Sequence, residues 1–242
     1  AAGGAAAGAP PPLVSVAPDD RLSHAARMIT QSGHSTLPVL AGDELSSVHC
    51  LHLVALPGVL ATVAKHFRMV TRSLPLFAQP LGVLPIGTWV AARRPRGAKE
   101  RDLATVREDA PLSATLNLLL EANVSAVPVV DENGRLRNVY SRKDVTALAK
   151  GRLYKRVLAN TPLVQVLAYL DGSDGTQQQQ GGAESSSGDS ARCQTCTRAD
   201  TLRSVLERLS TPGVGRLVVL EEGTKAVEGV VSVSDVVNFL LM

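Results

Sequence analysis

The chain has 242 residues, enough for one large or two ordinary domains, and 45% of them are hydrophobic against 3% aromatic, so a core of Leu, Val and Ala is expected. The net charge of +3 comes with no long basic face, and no apolar run approaches the about 20 residues of a membrane helix, so neither nucleic acid nor membrane is an expected partner. Three cysteines, an odd number, argue against a secreted disulfide framework.

Residues 1–12, AAGGAAAGAPPP, form a flexible leader. They lack the charged start and apolar centre of a signal peptide, so a cytosolic or nuclear location is expected. The chain begins without Met, which fits a fragment or a processed chain. Leu13-Val14-Ser15-Val16 reads as a strand and Leu22 to Thr30 as a helix, closed by Ser32-Gly33. Leu37-Pro38-Val39-Leu40 is an apolar strand, Ala41-Gly42-Asp43 a turn, and Val48 to Leu53 a second strand. Pro57-Gly58 is expected to interrupt the start of the helix that follows. Residues 66–102 are a connector. His66 to Leu76 is expected to be partly helical, and Leu84 to Val90 reads as a strand entry. Arg93-Arg94-Pro95-Arg96-Gly97-Ala98-Lys99 is a basic loop, either a solvated insertion or a nuclear-targeting patch.

Leu103 to Val106 is the next strand, and Leu112, Leu116, Leu119 and Leu120 mark a helix to Glu121. Val127 to Val130 is a buried strand. Asn133-Gly134 predicts a tight hairpin, and Leu136 to Tyr140 returns. Ser141-Arg142-Lys143-Asp144 then leads into a helix from Val145. Ser-x-x-Asp resembles a capping box, in which the serine oxygen accepts a free backbone N–H and the acid suits the helix dipole. Residues 151–170 form a linker with a short helix, capped by Thr161 with Pro162 at its first position. Residues 171–191 are Gly, Ser, Asp and Gln of low complexity, expected to be disordered. Leu202 to Leu209, Leu217 to Leu220 and Val236 to Leu241 repeat the earlier pattern.

The repetition has a fixed offset of 90. Leu22, Leu112 and Leu202 correspond, as do the apolar strands at Pro38, Pro128 and Val218. With one extra residue in the last turn, Ser141 and Asp144 fall on Ser232 and Asp235. The chain therefore holds three copies, at 13–65, 103–150 and 192–242, each strand, helix, strand, strand, helix, which is an α/β (α+β) class.

These repeats resemble cystathionine-β-synthase (CBS) domains, on VSAVPVVDENGRLRNVYSRKDV and VGRLVVLEEGTKAVEGVVSVSDV. More narrowly, Ile86-Gly87-Thr88-Trp89 and Gly229 to Asp235 resemble the regulatory gamma subunit of AMP-activated, sucrose-non-fermenting-type kinases. That family has four repeats in two pairs. The resemblance implies that this chain holds the second, third and fourth, the first lying upstream or lost. The repeats at 103–150 and 192–242 would form a complete CBS pair, and the repeat at 13–65 would stand unpaired.

The resemblance implies an adenine nucleotide, AMP, ADP or ATP, in the clefts between repeats, with no metal. Asp144 and Asp235 stand at the ribose position, where one carboxylate can accept two hydroxyl hydrogen bonds. Ser141, Ser232 and Ser234 stand beside them, and Thr88, Val124, Ser125 and Ala126 fall on adenine-pocket positions with Asp144. Spacing alone leaves the alternative that Ser-x-x-Asp only caps a helix. A His-Arg pair that reaches phosphate in the family is Gly215-Arg216 here and Ser35-Thr36 in the first repeat, and a linker arginine falls near Tyr169. Arg216 is the surviving phosphate ligand. The first repeat has Val54 or Ala55 in place of the carboxylate.

Cys193-x-x-Cys196 lacks a second ligand pair for zinc and aligns with Leu103 and Val106, which reads as buried packing. His24, His34, His49, His52 and His66 complete no metal spacing. No catalytic constellation is present, so no enzyme is expected. The implied role is a non-catalytic subunit binding a catalytic alpha-type kinase subunit and a beta-type scaffold subunit. A scaffold without nucleotide response, or a stand-alone CBS protein sensing another adenosyl ligand, are the alternatives.

Overall fold

The computed structural model describes residues 13–42, 48–66, 68–150, 161–173 and 193–242. The leader 1–12 lies outside them, as do most of the low-complexity insert and the first half of the linker.

In the first repeat, Val16 makes a single parallel bridge to Val39, so the expected first strand is reduced to one residue. Helix α1, Leu22–Ser32, buries Ala25, Ala26 and Ile29 and ends at Gly33, whose φ of 72° supplies the left-handed turn. Strands β1 (Thr36–Ala41) and β2 (His49–Ala55) pair antiparallel and lead into α2, Leu56–His66. Pro57 does not interrupt this helix, because a proline in the first turn removes an N–H that has no intrahelical partner.

The connector is structured, and its basic loop is mostly exposed apart from Pro95 and Ala98. It holds α3 (Arg68–Ser73), three short 3-10 turns at Pro75–Ala78, Leu81–Val83 and Ala91–Arg93, and strand β3 (Thr88–Trp89). Phe77, Leu81, Leu84, Ile86, Trp89 and Ala98 are buried in the largest core.

The middle repeat runs β4 (Val106–Arg107), α4 (Leu112–Glu121), β5 (Ala126–Val130), β6 (Leu136–Ser141) and α5 (Arg142–Lys150). Five residues join β5 to β6, more than the expected tight hairpin. Asp131 closes this loop by accepting the N–H groups of Asn133 and Arg135 at 2.9 Å, and only Gly134 takes a positive φ. Helix α6, Leu163–Ser173, begins after Pro162 and runs three residues into the segment expected to be disordered. The last repeat runs β7 (Thr195–Thr197), α7 (Leu202–Leu209), β8 (Arg216–Leu220), β9 (Val227–Ser232) and α8 (Val233–Leu240).

The internal symmetry extends to register. Val106 pairs Val129 in parallel and Cys196 pairs Val219 likewise, while Pro128 faces Val139 and Val218 faces Val230. The antiparallel hairpin of each repeat carries a bulge at the same place, between Val39 and Leu40, Val129 and Val130, and Val219 and Leu220.

The middle and last repeats pack sheet to sheet. Val130 and Val139 meet Cys193, Val218 and Val227, and Val227 N–H donates to the Gly134 carbonyl at 3.0 Å. This is the pair expected from the sequence. The first repeat has no sheet partner among the described residues, but it is not free. Its helices share one core with α7 and α8, through Ala26, Ile29, Leu60, Leu206, Val236 and Val237. The helices of the middle repeat are covered instead by α6, through Leu163, Val166, Leu167 and Leu170.

Candidate functional site

Each Ser-x-x-Asp first does local work. Ser141 N–H and Oγ–H both donate to Asp144 Oδ2, at 2.7 and 2.9 Å. Ser232 does the same to Asp235 Oδ2, at 3.0 and 2.6 Å, and its Oγ accepts Asp235 N–H at 3.3 Å, completing a capping box. The capping reading therefore holds in full at Ser232, and Ser141 shows the same bonds from serine to carboxylate. It also fixes both carboxylates at helix N-termini, where free N–H groups favour anions.

Asp144 does more than cap. It borders a cavity of about 540 Å³ between the middle and last repeats, with Val139, Ser141, Lys143, Gln194, residues 211–215 and Arg216. Arg216 opens β8 opposite Ser232, so its backbone position is set by the sheet. Its Nη2 donates to Ser125 Oγ at 3.1 Å, tying the two repeats together across the cleft. Burial lowers the affinity of the Arg216 guanidinium for its proton, and the Asp144 charge acts against that shift. An arginine stays charged through shifts of this kind, so the cavity presents one cation and one carboxylate from neighbouring repeats.

The expected site residues do not all meet. Asp144, Ser141 and Arg216 line the cavity, and Ser125 reaches it through Arg216. Val124 packs against the core of the middle repeat, and Ala126 lies in the sheet-to-sheet layer opposite Ser141. Thr88 sits on the other sheet, where β3 adds antiparallel to β9 with Thr88 opposite Val230. That is two residues before Ser232 on the strand of the last repeat, and Thr88 does not line the cavity that Asp144 borders. Ser234 is exposed in the first turn of α8. Asp235 receives Lys99 Nζ on Oδ1 at 3.0 Å.

In the first repeat the register moves the expected substitution. Thr36 faces Ala55 as Ala126 faces Ser141, so Ala55 takes the serine position and Gly58 the carboxylate position. The first repeat thus has neither side chain.

Sequence reading missed Lys143, Gln194 and the Thr211-Pro212-Gly213-Val214-Gly215 loop. The Pro-Gly composition of that loop, just before the strand carrying Arg216, was the available signal. Cys193 and Cys196 are buried, and burial pushes the Cys196 thiol up to about 12. Among the described residues no group of three or more His, Cys, Asp or Glu is placed to hold a metal ion.

Two repeats of strand, helix, strand, strand, helix, packed sheet to sheet with a Ser-x-x-Asp at the start of each last helix, define a CBS pair. The CBS domain family model matches residues 10–46, 99–151 and 190–242, more than half of the chain, and the chain belongs to that family. Within it, the chain is similar to the 5'-AMP-activated protein kinase subunit gamma of Dictyostelium discoideum, 33% identical over 233 residues, 96% of this chain and 35% of that protein. It is 30% identical over the same share of its length to the gamma-3 subunit of Homo sapiens, covering 40% of that protein. The chain thus spans well under half of these relatives. Among solved structures, a conserved Pyrococcus horikoshii protein superposes with a TM-score of 0.58 at 18% identity, over 95% of this chain and 79% of its own. A Methanocaldococcus jannaschii protein gives 0.59 at 14% identity, over 94% of this chain and 67% of its own. Both share the fold.

Proposed function

We propose that this chain is the nucleotide-responsive part of a gamma-type regulatory subunit, non-catalytic in itself, acting on an alpha-type kinase subunit held with a beta-type scaffold subunit. One observation carries the reading: Asp144 and Arg216, from different repeats, border the same cavity of about 540 Å³, within the range of small-molecule sites. An ionised carboxylate accepts both hydroxyls of a ribose cis-diol, and a guanidinium binds phosphate oxygens. AMP, ADP and ATP offer both groups. The similarity to 5'-AMP-activated protein kinase gamma subunits supports this ligand class and these partners. Ligand bound across two repeats would favour one relative placement of them, and it would act on the kinase only through its differential affinity for the two states.

Calorimetric titration of AMP, ADP and ATP tests the reading. Asp144→Ala should weaken binding at this cleft by at least about tenfold, since it removes hydrogen bonds to a charged group. Arg216→Ala should weaken the nucleotides and leave adenosine unchanged. No heat with any nucleotide, from a folded sample, would overturn it.

A scaffold without nucleotide response is the second reading. The first repeat favours it, with Ala55 and Gly58 where the other two carry serine and aspartate.

A further inference from the structure

The last repeat borders a cavity of about 310 Å³ that shares no residue with the one bordered by Asp144. It lies at the hairpin end of the sheet, among Arg93, Arg198, Leu220, Glu221, Glu222 and Glu228. Glu228, in β9, is only 4% exposed, and its Oε2 has no hydrogen-bond partner among the described residues. A buried carboxylate oxygen without a donor costs free energy. Such an oxygen in the wall of a cavity points to a cationic occupant that brings N–H groups.

The chain's own cations reach the place without satisfying it. Arg93 Nη2 donates to Glu221 Oε1 at 2.5 Å, and its Nε stands 3.4 Å from Glu228 Oε1, which leaves Oε2 alone. Arg198 directs Nη1 to the Arg93 carbonyl at 2.9 Å and Nη2 to the Gly82 carbonyl at 3.4 Å, with its guanidinium over the Trp89 ring. By formal charge the three glutamates outnumber the two arginines. Among the described residues these acids are not grouped so as to hold a metal ion, which leaves a cation that binds by hydrogen bonds.

The middle repeat shows which cation suits the position. Asn138 faces Val129 as Gly229 faces Val219, so Arg137 takes the place of Glu228 and Asp131 that of Glu221. There the Arg137 guanidinium borders a cavity of about 270 Å³, with Nη2 3.5 Å from Asp131 Oδ2. One repeat thus sets a guanidinium beside its acid, and the other sets a buried carboxylate there.

We propose that the cavity at Glu228 binds a guanidinium group, carried by a small molecule or by an arginine side chain of a partner protein. Glu228 is its buried acceptor and Glu222 its exposed one. The planar fork of a guanidinium matches carboxylate oxygens, and hydrogen bonds between two charged groups are the strong kind. Arg93, with its side chain 52% exposed, moves aside to admit the ligand. Neither Asp144 nor Arg216 takes part, so the site stands apart from the nucleotide reading.

Ligand-observed NMR titration of the whole chain with methylguanidinium, at fixed ionic strength, tests it. Tetramethylammonium supplies the charge without N–H donors, and the blocked peptide acetyl-Gly-Arg-Gly-amide supplies an arginine side chain. Trp89, the single tryptophan, lies against Arg198, so its emission locates the bound probe. Methylguanidinium should bind and change that emission, and tetramethylammonium should do neither. Glu228→Gln should weaken binding by at least about tenfold, as loss of a charged hydrogen bond. Glu222→Gln, at an exposed position that the fold does not need, should weaken it about two- to fivefold. A peptide that binds more tightly than methylguanidinium assigns the site to a partner's arginine; one that binds no more tightly assigns it to a small molecule. Binding of neither guanidinium probe would overturn the inference. So would equal binding of tetramethylammonium, affinity unchanged in both variants, or binding to which Trp89 does not respond.

Discussion

Tyr140 lies fully buried in the middle repeat, and its hydroxyl has no hydrogen-bond partner among the described residues. Burial, and then the Asp144 charge, raise its pKa, so it remains a neutral phenol. An unsatisfied buried hydroxyl costs free energy, and Tyr140→Phe removes it with little change of shape. We expect this variant to match wild type or exceed it by up to about 1 kcal/mol in urea denaturation. A loss above that would mean that the hydroxyl is satisfied after all. The cysteines give a second residue-scale test. Cys50 is exposed, whereas Cys193 and Cys196 are buried. A thiol reagent at mildly alkaline pH should label one site quickly and the other two only on unfolding. The Cys196 thiol, pushed up to about 12 by burial, contributes stability that is full below its ordinary value of 9.0 and is lost as pH rises toward 12, because the unfolded thiol ionises first. The same scale shows what was legible in the site. Ser-x-x-Asp could be read because both groups lie within one turn of chain. Gln194 could not, since it reaches the cavity from another element and no local pattern marks it.

Elements with regular periodicity were legible, and those held by close fit were not. Helix α7 is found at its expected bounds because Leu202, Val205, Leu206 and Leu209 form a single buried stripe. Strand β3 is only two residues long, and its place on the last sheet is decided by a glycine 140 positions away in sequence. A Cβ at Gly229 would lie 2.9 Å from Trp89 Cε3 and 3.0 Å from the Thr88 carbonyl oxygen. Nothing in a periodic pattern announces such a fit. It makes Gly229→Ala a sharp test of the edge. Overpacking of this kind typically costs about 1–3 kcal/mol, and we expect that loss in urea denaturation. Trp89 is the single tryptophan, so its emission should shift to the red as β3 loosens. An unchanged midpoint and spectrum would show that the strand yields without cost. The connector was legible only in outline, as a partly helical stretch and a strand entry, because its buried residues are spaced by 3-10 turns rather than by a helical or strand period.

At the scale of the molecule, the three repeats are alike in sequence and unlike in surroundings. Leu13 and Leu53 occupy the places of Leu103 and Val139 in the internal alignment, since Pro38 faces Leu53 as Pro128 faces Val139. Val139 is 7% exposed in the layer between the two packed sheets, whereas Leu53 is 60% and Leu13 73% exposed. Val48 and Leu51, close by in sequence, are 63% and 59% exposed. Exposed large apolar side chains favour association in water, and Leu53 holds the position that the middle repeat buries against its neighbour. The chain on its own should therefore self-associate with rising concentration, seen by sedimentation velocity. Leu53→Asp should shift it toward monomer. Because Leu53 is mostly exposed, the thermal midpoint should move little, which separates loss of an interface from loss of the fold. A wild-type chain that stays monomeric at high concentration would show that the face is already covered. A Leu53→Asp variant that associates as strongly as wild type would place the contact elsewhere. If association is found, adding one further CBS repeat in trans should suppress it, since that repeat would bury the positions that the middle and last repeats bury in each other.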